Sequence, residues 1–109
     1  MGTVYKVLGQ QNPSATTATT LYTVPSSTSA IASTLNVCNL GSTASTFRVA
    51  VRPAGATLAN VHYLTYDTNL PANDSIGMTL GITLATTDVV TVYANTANVT
   101  FSLFGTEIS

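Results

Sequence analysis

Ile76-Gly77-Met78-Thr79-Leu80-Gly81-Ile82-Thr83-Leu84 decides the fold class, because every second residue is apolar and every residue between is glycine or threonine. Side chains two apart share one face of a pleated strand, whereas a helix would scatter them around its axis. After the polar break Ala85-Thr86-Thr87-Asp88 come two more β-rich runs, 89–94 and 99–104, so residues 76–104 read as a meander of three strands. Working outward from this end, the same alternation recurs. In 46–53, Phe47, Val49 and Val51 point one way while Arg48, Ala50 and Arg52 point the other. In 30–39, Ile31, Leu35 and Val37 share a face opposite Thr34, Asn36 and Cys38.

Shorter strands are expected at 3–8, at 21–25 before the donor-less Pro25, and at 61–67. Turn residues separate them at 26–29, 40–44, 54–60 and 68–74. Residues 9–20, from Gly9 through Gln10, Gln11, Asn12 and Pro13 to a Ser/Ala/Thr cluster, have no apolar period and read as an extended arm or long loop. Twelve residues is long for a connection in a compact domain, which suggests an interaction role. About eight strands with regular turns and no helical period indicate an all-β chain, folded as one antiparallel β-sandwich of jelly-roll or immunoglobulin-like type over residues 1–109.

Composition limits the chemistry. Only 6% of the 109 residues are charged and the formal net charge is -1, against a typical charged fraction of about 25%. Threonine and serine together exceed a quarter of the chain, so its surface is one of hydroxyls and amides. Lys6, Arg48 and Arg52 are the only cationic side chains apart from a single histidine, too few for a phosphate-binding groove, and no nucleic-acid partner is expected. No apolar run approaches the ~20 residues of a membrane helix. Cys38 stands alone and reads as a small strand residue, not a disulfide partner.

No glycine-rich phosphate loop, zinc-ligand spacing or Ser/His/Asp constellation is present, so catalytic, cofactor and metal sites are all expected to be absent. His62 and Asp67 lie on one tyrosine-rich strand without a nucleophile. Asp74 and Asp88 stand in turns, where aspartate bonds its own backbone. Arg48 and Arg52, four apart on one face, are the only concentrated charge and are candidate protein contacts, as are Gln10, Gln11, Asn12 and Pro13 of the arm. Tyr5, Tyr22, Tyr63, Tyr66 and Tyr93 could line a glycan- or protein-binding surface. Gly77 and Gly81 admit two readings, a bent strand or a close approach by another subunit.

Six segments in order carry a resemblance: Leu21-Tyr22-Thr23-Val24-Pro25; Val37-Cys38-Asn39; Phe47-Arg48-Val49-Ala50-Val51-Arg52-Pro53; Leu80-Gly81-Ile82-Thr83-Leu84; Asp88-Val89-Val90-Thr91-Val92-Tyr93-Ala94; and Phe101-Ser102-Leu103-Phe104-Gly105. From about Val4 to Glu107 the chain resembles small virion structural proteins of tailed bacteriophages, notably those infecting cyanobacteria. The resemblance implies a virion location, no enzymatic activity and no cofactor. Its partners would be other virion proteins, the major capsid protein or tail proteins, and further copies of itself, a trimer being one form. A capsid decoration (cement) protein is the leading expectation. A tail module of fibre, neck or baseplate and a host-glycan-binding module are the alternatives.

Overall fold

A computed structural model describes residues 2–109. Eight strands form in order: β1 (Thr3–Gln11), β2 (Thr19–Thr23), β3 (Ser29–Asn39), β4 (Ser45–Arg52), β5 (Tyr63–Leu70), β6 (Ser75–Leu84), β7 (Val89–Ala94) and β8 (Val99–Ile108). Two short 3-10 turns, Pro53–Gly55 and Asn60–His62, lie between β4 and β5. Sheet A has the order β1-β8-β3-β6 and sheet B the order β2-β7-β4-β5, and every pairing is antiparallel.

The pairs β1·β8, β2·β7, β3·β6 and β4·β5 are those of one long antiparallel ribbon folded back between β4 and β5. Rolling that ribbon brings β8 against β3 and β7 against β4, which completes the two sheets. This is the jelly roll. An immunoglobulin sandwich keeps several sequence-adjacent strands side by side, whereas here only β4 and β5 do so.

The expected meander at 76–104 does not form: β6, β7 and β8 pair with earlier strands and not with one another. Each has an apolar face to bury against the opposite sheet, so the connections at 85–88 and 95–98 cross between sheets where hairpins were expected. β7 lies inside sheet B, and Val90, Val92 and Ala94 are all fully buried. The core between the sheets joins Leu35, Val37, Val99, Phe101 and Leu103 of sheet A to Phe47, Val49, Val90 and Val92 of sheet B. Phe47 and Phe101 meet edge to face across the gap, with ring centroids 6.1 Å apart. Burying side chains of this size contributes about 1.5–3 kcal/mol each before the entropy of ordering is subtracted.

Two strand assignments need correction. Gly9, Gln10 and Gln11 are not part of an arm; they continue β1, opposite Leu103, Ser102 and Phe101 of β8. The connection is therefore residues 12–18, with Pro13 buried and Thr16 N–H donating to Ala94 O at 2.8 Å. Polar residues on both faces hide a strand from the periodicity test, and here the ladder with β8 decides. Similarly, Ile31 does not share a face with Leu35 and Val37: it is 38% exposed and they are fully buried. A β-bulge between Ala32 and Thr34 adds one residue, and one extra residue reverses which side chains point inward.

That bulge is one of a row. Leu8 is the extra residue of β1 against β8, Ser33 that of β3 against β8, and β6 carries two residues, Leu80 and Gly81, where β3 has Ser33. Gly81 has a φ of 59° and occupies the bulge, so its glycine is explained by the bend. The extra residues thus lie along one line across sheet A.

Candidate functional site

Arg48 sits on the outer face of sheet B, opposite Tyr93 of β7. On its other side β5 bulges, so that two residues, Tyr66 and Asp67, stand where a regular strand would place one. Asp67 has a φ of 50°, the left-handed conformation such a bulge requires and one that aspartate tolerates better than most residues. The bulge gives Arg48 both partners at once. Its Nε donates to Asp67 Oδ1 at 2.6 Å and its Nη2 donates to Oδ2 at 3.3 Å. The guanidinium carbon lies 4.0 Å from the Tyr66 ring centre and 4.2 Å from that of Tyr93. The hydrogen bond to Asp67 pushes the Arg48 pKa further up, and desolvation only partly opposes it.

Arg52 is also engaged within its own chain. Its Nε donates to Thr91 Oγ1 at 3.1 Å and its Nη1 to Ala56 O at 3.0 Å. Residues 53–62 thereby cover one end of sheet B, where Ala50 and Thr91 are buried on the outer face. The remaining charges follow the same pattern. Asp88 accepts from Ala54 N–H and Ala85 N–H, both at 2.9 Å, and Asp74 accepts from Ser75 N–H at 2.8 Å. His62 Nδ1 accepts from Ala59 N–H at 3.0 Å. His62, Asp67, Asp74 and Asp88 therefore each have a separate backbone or guanidinium partner.

Glu107 and Lys6 complete the set, at the corner where β1 and β8 face β2. Tyr22 Oη donates to Glu107 Oε2 at 2.5 Å, and Lys6 Nζ lies 3.4 Å from Oε1. The Tyr22 hydrogen bond, reinforced by Lys6 and opposed by burial, holds the Glu107 carboxyl below the usual glutamate range. Burial first, and then Glu107, push the Tyr22 phenol up. A depressed carboxyl stabilises the fold above its unfolded pKa of about 4.5, and that stability is lost as pH falls through the folded value. Glu107→Gln is expected to lower stability by about 1 kcal/mol at pH 7 and to flatten the stability curve below about pH 4.5. Urea melts of both proteins between pH 3 and 7 check this, and parallel curves would remove Glu107 from the account.

The four candidate residues of the expected arm are held against β8 and its approach. Gln10 Nε2 donates to Ser102 Oγ at 3.3 Å, and Asn12 Nδ2 donates to Ala97 O at 3.0 Å and Val99 O at 2.9 Å. With Gln11, they line a shallow hollow of about 370 Å³ beside β8. A second hollow of about 350 Å³ lies at Asn60, Tyr63 and Tyr66. The two tyrosine rings stand 4.9 Å apart at 85° and make an aromatic corner. Tyr66 is 56% exposed, Tyr63 and Tyr93 are partly covered, and Tyr22 is in the core.

The outer face of sheet A is open. Register and alternation place there the cross-strand rows Tyr5/Thr106/Ile31/Thr83, Val7/Phe104/Thr34/Thr79 and Gln10/Ser102/Asn36/Gly77. Ile108 follows at one end and Cys38 at the other. None of these residues is charged. Tyr5, Val7, Ile31, Phe104 and Ile108 form a contiguous apolar patch and are each at least 36% exposed. Gly77 lies on the same face with open space around the position of a Cβ and an ordinary negative φ. Glycine inside a strand costs roughly 0.5–1 kcal/mol relative to alanine, and nothing within the chain accounts for it.

No family model and no curated protein matches the chain.

Sequence reasoning noticed Arg48 and Arg52 but not their partners, because the β5 bulge that brings Tyr66 and Asp67 together leaves no pattern in the residues. It singles out two residues of the sheet A face, Gln10 as a contact and Gly77 as a point of approach for another subunit, but not the face that joins them. The signal available there was the charge-free alternate set of β6, Gly77, Thr79 and Thr83.

Proposed function

We propose that this protein is a non-enzymatic structural component of a bacteriophage virion, a capsid decoration (cement) protein that self-associates and stabilises neighbouring capsid subunits. The observation that carries the reading is the distribution of charge. All seven charged side chains, Lys6, Arg48, Arg52, Asp67, Asp74, Asp88 and Glu107, bond within the chain, and the broad face of sheet A has none. A charge-poor, hydroxyl-rich module of this kind packs against neighbours without burying unpaired charge, which is the costly event in forming an interface. The contact role moves accordingly from Arg48, Arg52 and residues 11–13 to the outer face of sheet A, which keeps Gln10 as a contact residue. The resemblance to small phage virion proteins points the same way.

Mass spectrometry and electron cryomicroscopy of purified particles test the assignment. Hundreds of copies on the shell are expected. A few to a dozen copies would move the protein to the tail, and absence from the particle would end the virion reading.

A second reading, a host-glycan-binding module, is favoured by one observation, the exposed right-angled corner of Tyr63 and Tyr66 beside Asn60. Sugar rings stack on such faces while an amide bonds their hydroxyls. Binding on a glycan array that disappears in Tyr63→Ala would establish it.

A further inference from the structure

The outer face of sheet A is half bulky and half small, and the two halves are arranged to fit one another. β1 and β8 carry Tyr5, Val7, Phe104 and Ile108, whereas β6 carries Gly77, Thr79 and Thr83. In the order β1-β8-β3-β6, a two-fold axis parallel to the strands and midway between β8 and β3 lays β1 of one copy over β6 of the other. It lays β8 over β3 in the same way. We propose that two copies of this chain pack face to face through sheet A about such an axis.

Every large side chain then meets a small one. Tyr5 faces Thr83 of the second copy, Val7 faces Thr79, Phe104 faces Thr34 and Ile31 faces Thr106. Gln10 lies over Gly77, where the missing Cβ leaves room for it. Sheets stack about 10 Å apart, a gap filled by one large and one small residue per position. The alternative two-fold axis, across the strands, lays β1 over β1 and crowds Tyr5 and Val7 against themselves.

Charge points to a second copy as the occupant. An isologous contact opposes each patch to itself, so a charged face would repel its own image, and this face has no charge. Its mixture of exposed aromatic and aliphatic side chains with threonine, asparagine and glutamine, without a charge, matches the charge-depleted composition of interface cores. Four strands at ~4.8 Å spacing and roughly 30 Å long give a face of ~600 Å² in projection. Corrugation brings this near the ~800 Å² per partner of a standard interface.

The inference rests on the self-association part of the proposed function, and its test is separate from particle localisation. Sedimentation equilibrium of the full chain is expected to show a dimer. Tyr5→Lys and Phe104→Lys should each weaken it at least 100-fold, while Thr57→Lys, on the exposed loop away from the face, leaves it unchanged. Tyr5 is 83% exposed, so Tyr5→Lys should fold, and circular dichroism checks that it does. In a Cys38→Ser background, a Tyr5→Cys chain mixed with a Thr83→Cys chain should form the mixed disulfide faster than either forms its own. A monomer up to millimolar concentration, a dimer insensitive to both lysine variants, or preferential Tyr5→Cys self-crosslinking would overturn the arrangement. A trimer would overturn the two-fold axis and leave the self-association reading standing.

Discussion

Asn39→Asp is expected to remove about 3–5 kcal/mol of stability at pH 7, a large fraction of the roughly 5–15 kcal/mol a domain of this size has. Asn39 is 1% exposed at the end of β3. Its Nδ2 points at three carbonyl oxygens, Thr43 O at 2.8 Å, Pro71 O at 3.2 Å and Leu70 O at 3.3 Å, while its Oδ1 accepts from Gly41 N–H at 2.9 Å. One amide thus ties together the end of β3, the 40–44 turn and the end of β5. A carboxylate would turn an oxygen toward three carbonyl lone pairs and place an unpaired charge in the interior. Burial raises the pKa of such an acid, so the defect should be greatest above that pKa and ease as the pH falls through it. Urea melts at pH 7 and pH 4 check both the size and the sign. A loss under about 1 kcal/mol at pH 7 would mean that Asn39 does not organise this end of the sandwich.

Gly105→Ala is the second large effect. A Cβ at Gly105 would fall inside van der Waals contact of the Ile31 carbonyl oxygen, with Leu8 Cδ1 at 3.0 Å and Ala32 Cα at 3.1 Å. Two of these three obstacles are β3 backbone, which cannot rotate aside, so β8 and β3 must separate in the middle of sheet A. Overpacking a core costs about 1–3 kcal/mol, and a backbone obstacle belongs at or above the top of that range. Gly77→Ala provides the contrast within the same sheet. Its Cβ would enter open space, so the isolated chain should be unchanged or more stable by about 0.5 kcal/mol. Chemical denaturation of the two variants side by side measures the difference, and equal losses would contradict this account of Gly105.

These two glycines show what the residues alone make legible. Gly77 and Gly81 attract notice because they interrupt an apolar alternation, yet the positions where a neighbouring backbone leaves no room for a side chain are Gly105 and Gly9, the latter against the Leu21 carbonyl of β2. Close approach between strands distant in sequence leaves no local mark. Alternation, by contrast, is local: it groups Phe47 with Val49, and the even positions of 76–84 with one another, on single faces, and in the fold those faces meet the core. It fails where an extra residue enters, at Ser33 and at Tyr66-Asp67, and where a strand is polar on both faces, as at Gln10 and Gln11. Asn39 reads only as the last residue of a strand. Its signal was the Gly41 turn directly after it, where an asparagine commonly bonds the backbone two residues on.

The line of bulges across sheet A has a consequence for how the chain finds its pairing. A sheet rich in threonine and glycine holds its alignment weakly, since a shift by two residues often sets like against like. Here a strand that slid along its neighbour would carry its extra residue out of line with the kinks beside it, at Leu8, Ser33 or Leu80-Gly81. The kinks act as the wards of a key, so misaligned ladders are rejected strand by strand even where the side chains themselves are nearly interchangeable.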